Sequence, residues 1–164
     1  MAACPYSLTG GQTVMSIRTS ERTMKKKEST LPLRLLVVDG HEEVRRCLVH
    51  YMQSMRGLTV VGEARDGVEA IWKARQTHPD LVLIGARLPR IDAWTTAIAI
   101  KARCPHAHLI VLEIVTVPDR VSVPPVVESY LEKGHIVKEL PNVIATVRNE
   151  MRRSRMNLVT AMHG

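Results

Sequence analysis

The 164-residue chain contains no phenylalanine, and its aromatic residues are only Tyr6, Tyr51, Trp72, Trp94 and Tyr130. So thin a supply argues against stacking platforms for single-stranded nucleic acid. Cysteine is equally scarce. Cys4, Cys47 and Cys104 are odd in number, scattered and without C-x-x-C spacing, which argues against a disulfide framework or a zinc site and fits a reducing cytoplasm. No apolar run approaches the roughly 18 residues of a membrane span, and Met1 to Thr30 lacks the continuous apolar stretch of a signal peptide. No glycine-rich phosphate loop or Ser-His-Asp arrangement is legible. His106 and His108 could share one side of a strand edge, but no further ligands accompany them. These absences lead us to expect no catalytic residue, no metal, no cofactor and no membrane partner.

Acidic residues are in the minority, and the net charge is +7. The excess is local. Residues 1–30 carry five basic and two acidic groups, residues 148–164 carry four and one, and residues 31–147 are nearly balanced at fourteen and thirteen. Basic tails can attract phosphate backbones without specificity, but more often such tails are simply solvated. Direct sequence-specific nucleic-acid binding is not expected.

What is present is an alternation of strands and helices. Residues 1–30, rich in Ser, Thr, Gly and Lys, read as a disordered arm. A domain over residues 31–155 and a short tail over 156–164 follow. Leu33 to Val38 is a buried strand. Val44, Cys47, Leu48, Tyr51, Met52 and Met55 recur at helical spacing, and Gly57 ends that helix. Leu58 to Val61 is the second strand. Asp66 and Glu69 form a capping-box pattern, opening a helix expected to turn Val68, Ile71 and Trp72 inward. Leu81 to Ile84 is the third strand, followed by a helix from about Asp92 to Arg103. Leu109 to Leu112 and Val126 to Leu131 complete five strands. A last helix from about Leu140 to Arg155 places Val143, Ile144, Val147 and Met151 inward.

Apolar strands alternating with amphipathic helices imply an α/β fold with a doubly wound parallel sheet covered on both faces. Sites in such sheets lie at the carboxyl ends of the strands. Here those ends carry Asp39-Gly40, Gly85, Glu113 and Lys133.

The blocks "LRLLVVDGHEEVR", "VVGEARDGVEAI", "DLVLIGARLPRIDAW", "HLIVLEIV" and "SYLEKG" follow one another in the order and spacing of another group of proteins. Over residues 33–150 the chain resembles the receiver domains of two-component response regulators, nearest in wording to those of LuxR-type transcription factors. The resemblance implies the flavodoxin-like receiver fold. It also implies what has changed. In active receivers an aspartate at the place of Gly85 accepts a phosphoryl group, and two acids after the first strand hold magnesium. Here Asp39 matches the first acid, while Gly40 takes the place of the second and Gly85 that of the acceptor. Asp39 is expected to be a turn or capping residue. Lys133 matches the family's lysine. Glu113 stands where a hydroxyl residue normally binds the phosphoryl group, and a Glu113–Lys133 pair is expected to fill the vacated pocket. Tyr130 matches the aromatic switch position.

The helix between the fourth and fifth strands is expected to be shortened or broken. Pro118, Pro124 and Pro125 leave only about one and a half turns near Asp119 to Val123 able to be helical. Its valines Val117, Val121, Val123 and Val126 exceed the needs of one loop, so they are assigned to an interaction surface for a signalling partner or a second subunit. The resulting expectation is a phosphorylation-independent pseudo-receiver, dimeric and cytoplasmic, acting by protein–protein contact. The alternatives are a small-ligand sensor using the vacated pocket, and a phosphorelay receiver with a relocated acid, for which Asp92, in the loop seven residues beyond Gly85, is the candidate.

Overall fold

The computed structural model describes residues 31–113 and 125–161, apart from the side chains of Lys133 and residues 154–161. Its elements are β1 (Leu33–Val38), α1 (Glu42–Ser54), β2 (Leu58–Ala64), α2 (Gly67–Thr77), β3 (Leu81–Gly85), α3 (Ala93–Arg103), β4 (His108–Glu113), β5 (Ser129–Glu132) and α4 (Ile136–Ala161). A single turn of 3₁₀ helix, Lys133–His135, joins β5 to α4. All strand pairs are parallel, in the order β2-β1-β3-β4-β5. This is the expected doubly wound five-stranded sheet. The expected short helix at Asp119 to Val123 lies outside the described residues.

Alternation along the strands divides the core in two. Leu35, Val37, Leu83, Ile110 and Leu112 face α1 and α4, where Met52, Leu140, Ile144 and Val147 cover them. Leu36, Val38, Val82, Ile84, Leu109 and Val111 face α2 and α3. The central strands are buried on both faces, which is why they read as continuous apolar runs.

Helix α2 departs from expectation. Its buried residues are Gly67, Ala70 and Ala74, whereas Val68 is 38% and Trp72 58% exposed. Ile71 alone of the expected trio packs against the core. Small residues let α2 lie close to the sheet and to α3; a Cβ on Gly67 would come within 2.9 Å of the Ile91 carbonyl. Asp66 caps the helix as expected, accepting from the Glu69 amide at 2.9 Å. Glu69 reaches back to the Arg65 amide at 3.0 Å, one residue ahead of the usual capping-box partner.

Strand β5 starts at Ser129, later than the apolar run suggests, because the Glu128 carboxylate takes the Leu109 amide at 2.8 Å. Helix α4 begins at Ile136 and runs to Ala161, beyond both expected ends. It contains Pro141, which supplies no amide donor to the carbonyl four residues back. The Tyr51 hydroxyl on α1 donates to that carbonyl, on Val137, at 3.4 Å. Val143, Ile144, Val147 and Met151 line the inward side of α4 as expected.

Candidate functional site: the carboxyl ends of the strands

Chain order reverses direction across the sheet between β1 and β3, and such a switch point opens a crevice at the strand ends. Asp39, Gly85 and Glu113 stand at the ends of β1, β3 and β4, and Lys133 follows β5 directly. The fold therefore gathers onto one edge four positions that are far apart in sequence.

Asp39 is fully buried. Its amide donates to the Ala64 carbonyl at 3.1 Å, and its Oδ1 accepts from the His41 amide at 2.9 Å. The latter is the side-chain-to-backbone bond of an Asx turn, and it sets the entry to α1. Arg45 tethers the turn from above. Its Nη1 donates to the Asp39 carbonyl at 2.8 Å, while its Nε lies 3.7 Å from Glu63 Oε2 on β2. Neither His41 nor Arg45 was singled out from sequence, because no spacing signal distinguishes them in "HEEVRR".

The other carboxylate oxygen of Asp39 lies over Gly85. A Cβ built on Gly85 would stand 2.6 Å from Oδ2 and 3.1 Å from Cγ of Asp39. At Gly40 a Cβ would meet Pro89 Cδ at 3.0 Å and the Arg87 carbonyl at 3.2 Å. The 2.6 Å approach at Gly85 is too close for carbon and oxygen without displacement, whereas those at Gly40 are tight and need only slight give. Each glycine thus marks a place where the surroundings have closed over the missing side chain, Asp39 over Gly85 and the β3–α3 loop over Gly40.

Magnesium needs several oxygen ligands in near-octahedral array. Gly40 and Gly85 offer no carboxylate, and Asp39 Oδ1 already accepts from the His41 amide. Among the described residues no three His, Cys, Asp or Glu side chains cluster as a metal site. The donor set does not fit the ion.

Tyr130 is half-buried and packs against the core face of α2 and α3. Burial raises its phenol above the ordinary 10, and the negative charges of Glu113 and Glu132 raise it further. Glu113 and Tyr130 are thus electrostatic neighbours. The Lys133 side chain, and with it the expected Glu113–Lys133 contact, lies outside the described residues. So do Val117, Val121 and Val123. Val126 is half-buried against the core, and the adjacent Val127 is buried.

Asp92 serves α3. Its carboxylate accepts from the amides of Trp94 and Thr95, both at 2.9 Å, and from the Thr95 hydroxyl at 2.6 Å. Those bonds, with the Thr95 hydroxyl foremost, hold its pKa below the ordinary 3.8.

The family model for the response regulator receiver domain matches residues 35–144. The chain belongs to that family. Among curated relatives, this receiver is 39% identical over 84 residues to protein-glutamate methylesterase/protein-glutamine glutaminase 4 of Myxococcus xanthus, covering 51% of this chain and 24% of the relative. It is 27% identical over 140 residues to response regulator protein VraR of Staphylococcus aureus, covering 75% of this chain and 67% of VraR. It therefore spans only a fraction of the methylesterase's length. The response regulator domain of Thermotoga maritima CheB superposes with a TM-score of 0.63 at 21% identity, covering 74% of this chain and 97% of that one. The signal receiver domain of the putative response regulator NarL from Mycobacterium tuberculosis gives 0.62 at 20%, covering 72% and 98%. At such identities these two likenesses establish the fold alone. Among the described residues no helix is long and apolar enough to cross a membrane.

Proposed function

We propose that this receiver works without phosphorylation, as a protein–protein interaction module in cytoplasmic two-component-type signalling or transcriptional regulation. The observation that carries the reading is the contact between Asp39 and Gly85. A receiver that had merely lost its acceptor would retain room for one. Here the Asp39 carboxylate occupies the space in which a side chain at position 85 would begin. Glycine has no atom able to form an acyl phosphate. Asp92, the alternative acid in the loop beyond Gly85, uses its carboxylate to cap α3.

Incubation with acetyl phosphate and magnesium tests the reading. The expected result is no incorporated phosphate and no change in tryptophan emission. Stoichiometric, base-labile phosphate on any aspartate overturns it and favours a relocated acceptor.

Within this proposal Glu113 pairs with Lys133 in place of the lost chemistry. Removing one partner of such a pair costs about 1–3 kcal/mol. In a double-mutant cycle the Glu113→Ala/Lys133→Met variant then recovers part of the Glu113→Ala loss. Output is proposed to run through the segment between β4 and β5, by contact with a signalling partner or a second subunit. Val121→Asp and Val123→Glu are the informative substitutions there, read by sedimentation velocity and partner capture. Val126 belongs less to that surface than to the core it packs against.

A further inference from the structure

The loop between β3 and α3 holds a backbone conformation that its sequence does not favour. Arg90 has a φ of 71, in the left-handed region where a Cβ is penalised. The Ile91 amide donates to the Pro89 carbonyl at 2.9 Å, which closes a three-residue turn around Arg90. Around a residue of positive φ, that bond makes the rare and strained form of the γ-turn. Glycine would occupy the position without steric cost. A strained conformation that carries a Cβ persists only where its surroundings hold it.

Leu88 packs against the core on one side of the turn, and Asp92 caps α3 on the other. Between them the Arg90 side chain reaches the start of α2, where its Nη1 lies 3.4 Å from Asp66 Oδ2. The other Asp66 oxygen accepts from the Glu69 amide. The two charged side chains differ in exposure, 6% for Asp66 and 61% for Arg90. A carboxylate so buried needs a charge partner, whereas the exposed guanidinium leaves the pair open to screening by salt. Ile91 follows against Gly67, whose missing Cβ would stand 3.0 Å from Ile91 Cβ. Beneath the turn, Pro89 Cδ comes within 3.0 Å of the place that a Cβ on Gly40 would take. Gly40 follows Asp39, which is fully buried and whose Oδ1 holds the His41 amide.

We propose that residues 89–91 are a strap over the strand-end crevice, held shut by the Arg90–Asp66 ion pair against the backbone strain at Arg90. The open strap returns Arg90 to an ordinary φ and lifts Pro89 from Gly40, which uncovers the turn at Asp39. The closed strap gains the ion pair. Access to the crevice is thus set by a balance between one strained residue and one breakable charge pair. Local openings of this size belong to the native ensemble of a folded domain. The device needs no phosphoryl group and does not depend on what the segment between β4 and β5 contacts.

Amide hydrogen exchange of the full chain, followed by nuclear magnetic resonance and compared as protection factors, tests the proposal. The Ile91 amide reports on the strap and the His41 amide on the turn at Asp39. The Asp80 amide, bonded to the Arg34 carbonyl at 2.8 Å at the opposite end of the sheet, is the reference. Asp66→Asn removes the charge and keeps the cap, since asparagine caps a helix as well as aspartate does. Arg90→Ala removes the guanidinium and keeps a Cβ at positive φ. Each should lower the protection of Ile91 and His41 by about fivefold, the worth of one ordinary hydrogen bond, and leave Asp80 unchanged. Arg90→Gly should lower it less than Arg90→Ala, because glycine removes the strain along with the tie. Raising salt from about 0.05 M to about 0.5 M should open the strap in the parent and not in Arg90→Ala. Three outcomes overturn the inference: protection that neither the substitutions nor salt change, Arg90→Gly opening as readily as Arg90→Ala, or Ile91 losing protection while His41 keeps it. An equal loss at Asp80 would also overturn it, by showing that the whole domain opens and not the strap.

Discussion

The Asp39 carboxylate stands where a side chain on Gly85 would begin, since a methyl group there would lie 2.6 Å from Asp39 Oδ2. Asp39 cannot simply swing away, because its other oxygen holds the His41 amide at the start of α1. Gly85→Ala should therefore destabilise the domain by about 1–3 kcal/mol, the range for overpacking a filled site. In an Asp39→Ala background the same substitution should cost close to nothing. Urea denaturation of the four proteins in the cycle measures the coupling. If Gly85→Ala costs the same in both backgrounds, the two residues do not compete for space.

Three carboxylates should make the fold sensitive to acid. The Glu69 amide and then Arg90 hold Asp66 below its ordinary 3.8. The Arg65 amide and Lys73 hold Glu69 below 4.5, and the Thr95 hydroxyl and amide hold Asp92 below 3.8. A folded-state value below the unfolded one means that the unfolded chain takes up protons first as pH falls. The stabilisation is complete above the unfolded values and is lost as pH drops through the folded ones. Urea midpoints should thus be flat from neutrality to about pH 5 and fall steeply below about pH 4. Asp92→Asn should lower stability at pH 7 and make the acid slope shallower. An unchanged slope would show that Asp92 does not contribute to it.

The five strands and their parallel, doubly wound arrangement were legible because continuous apolar runs separated by amphipathic stretches admit few other arrangements. Four site positions could be placed at the sheet's carboxyl edge for the same reason. The orientation of α2 was not legible. Large apolar residues usually mark the buried face, but here Ala70 and Ala74 are buried because the helix lies close to the sheet, and Trp72 is turned outward. Nor was the closure over Gly85 legible. A glycine code reports a missing side chain and nothing of what moves into the space. The early start of α4 was hidden by Pro141, since the Tyr51 hydroxyl that serves the Val137 carbonyl comes from a helix 86 residues away in sequence.

His78 ends α2 in the left-handed region, with φ 44. That conformation costs a residue with a Cβ about 1–2 kcal/mol, and glycine is the usual occupant of such a position. The His78 side chain is exposed, so little packing is lost by removing it. Part of the gain is offset by the greater freedom of glycine in the unfolded chain. His78→Gly should therefore raise stability by about 0.5–1 kcal/mol, whereas His78→Val should lower it. A thermal melt of the pair against the parent checks the sign, and a lower melting temperature for His78→Gly would show that the side chain makes a contribution larger than the backbone strain.

Tyr130 reports on the ground that a switching tyrosine would occupy. Its phenol is held above the ordinary 10 first by burial and then by Glu113 and Glu132. Both causes oppose formation of the phenolate, one by removing water and the other by repulsion. Glu113→Gln removes one repelling charge and should lower the Tyr130 midpoint without returning it to the ordinary value, because burial remains. Glu132→Gln should lower it by less, in keeping with the weaker of the two repulsions. Ultraviolet absorbance at alkaline pH follows the titration, with Tyr51→Phe and Tyr6→Phe in the background so that Tyr130 is the only phenol. The folded chain keeps the phenol neutral to higher pH than the unfolded chain does, so this residue's contribution to stability is lost as pH rises past 10. A Tyr130 midpoint unmoved by Glu113→Gln would mean that the Glu113 carboxylate points away from the ring. The position that normally binds a phosphoryl group would then have no electrostatic link to the tyrosine.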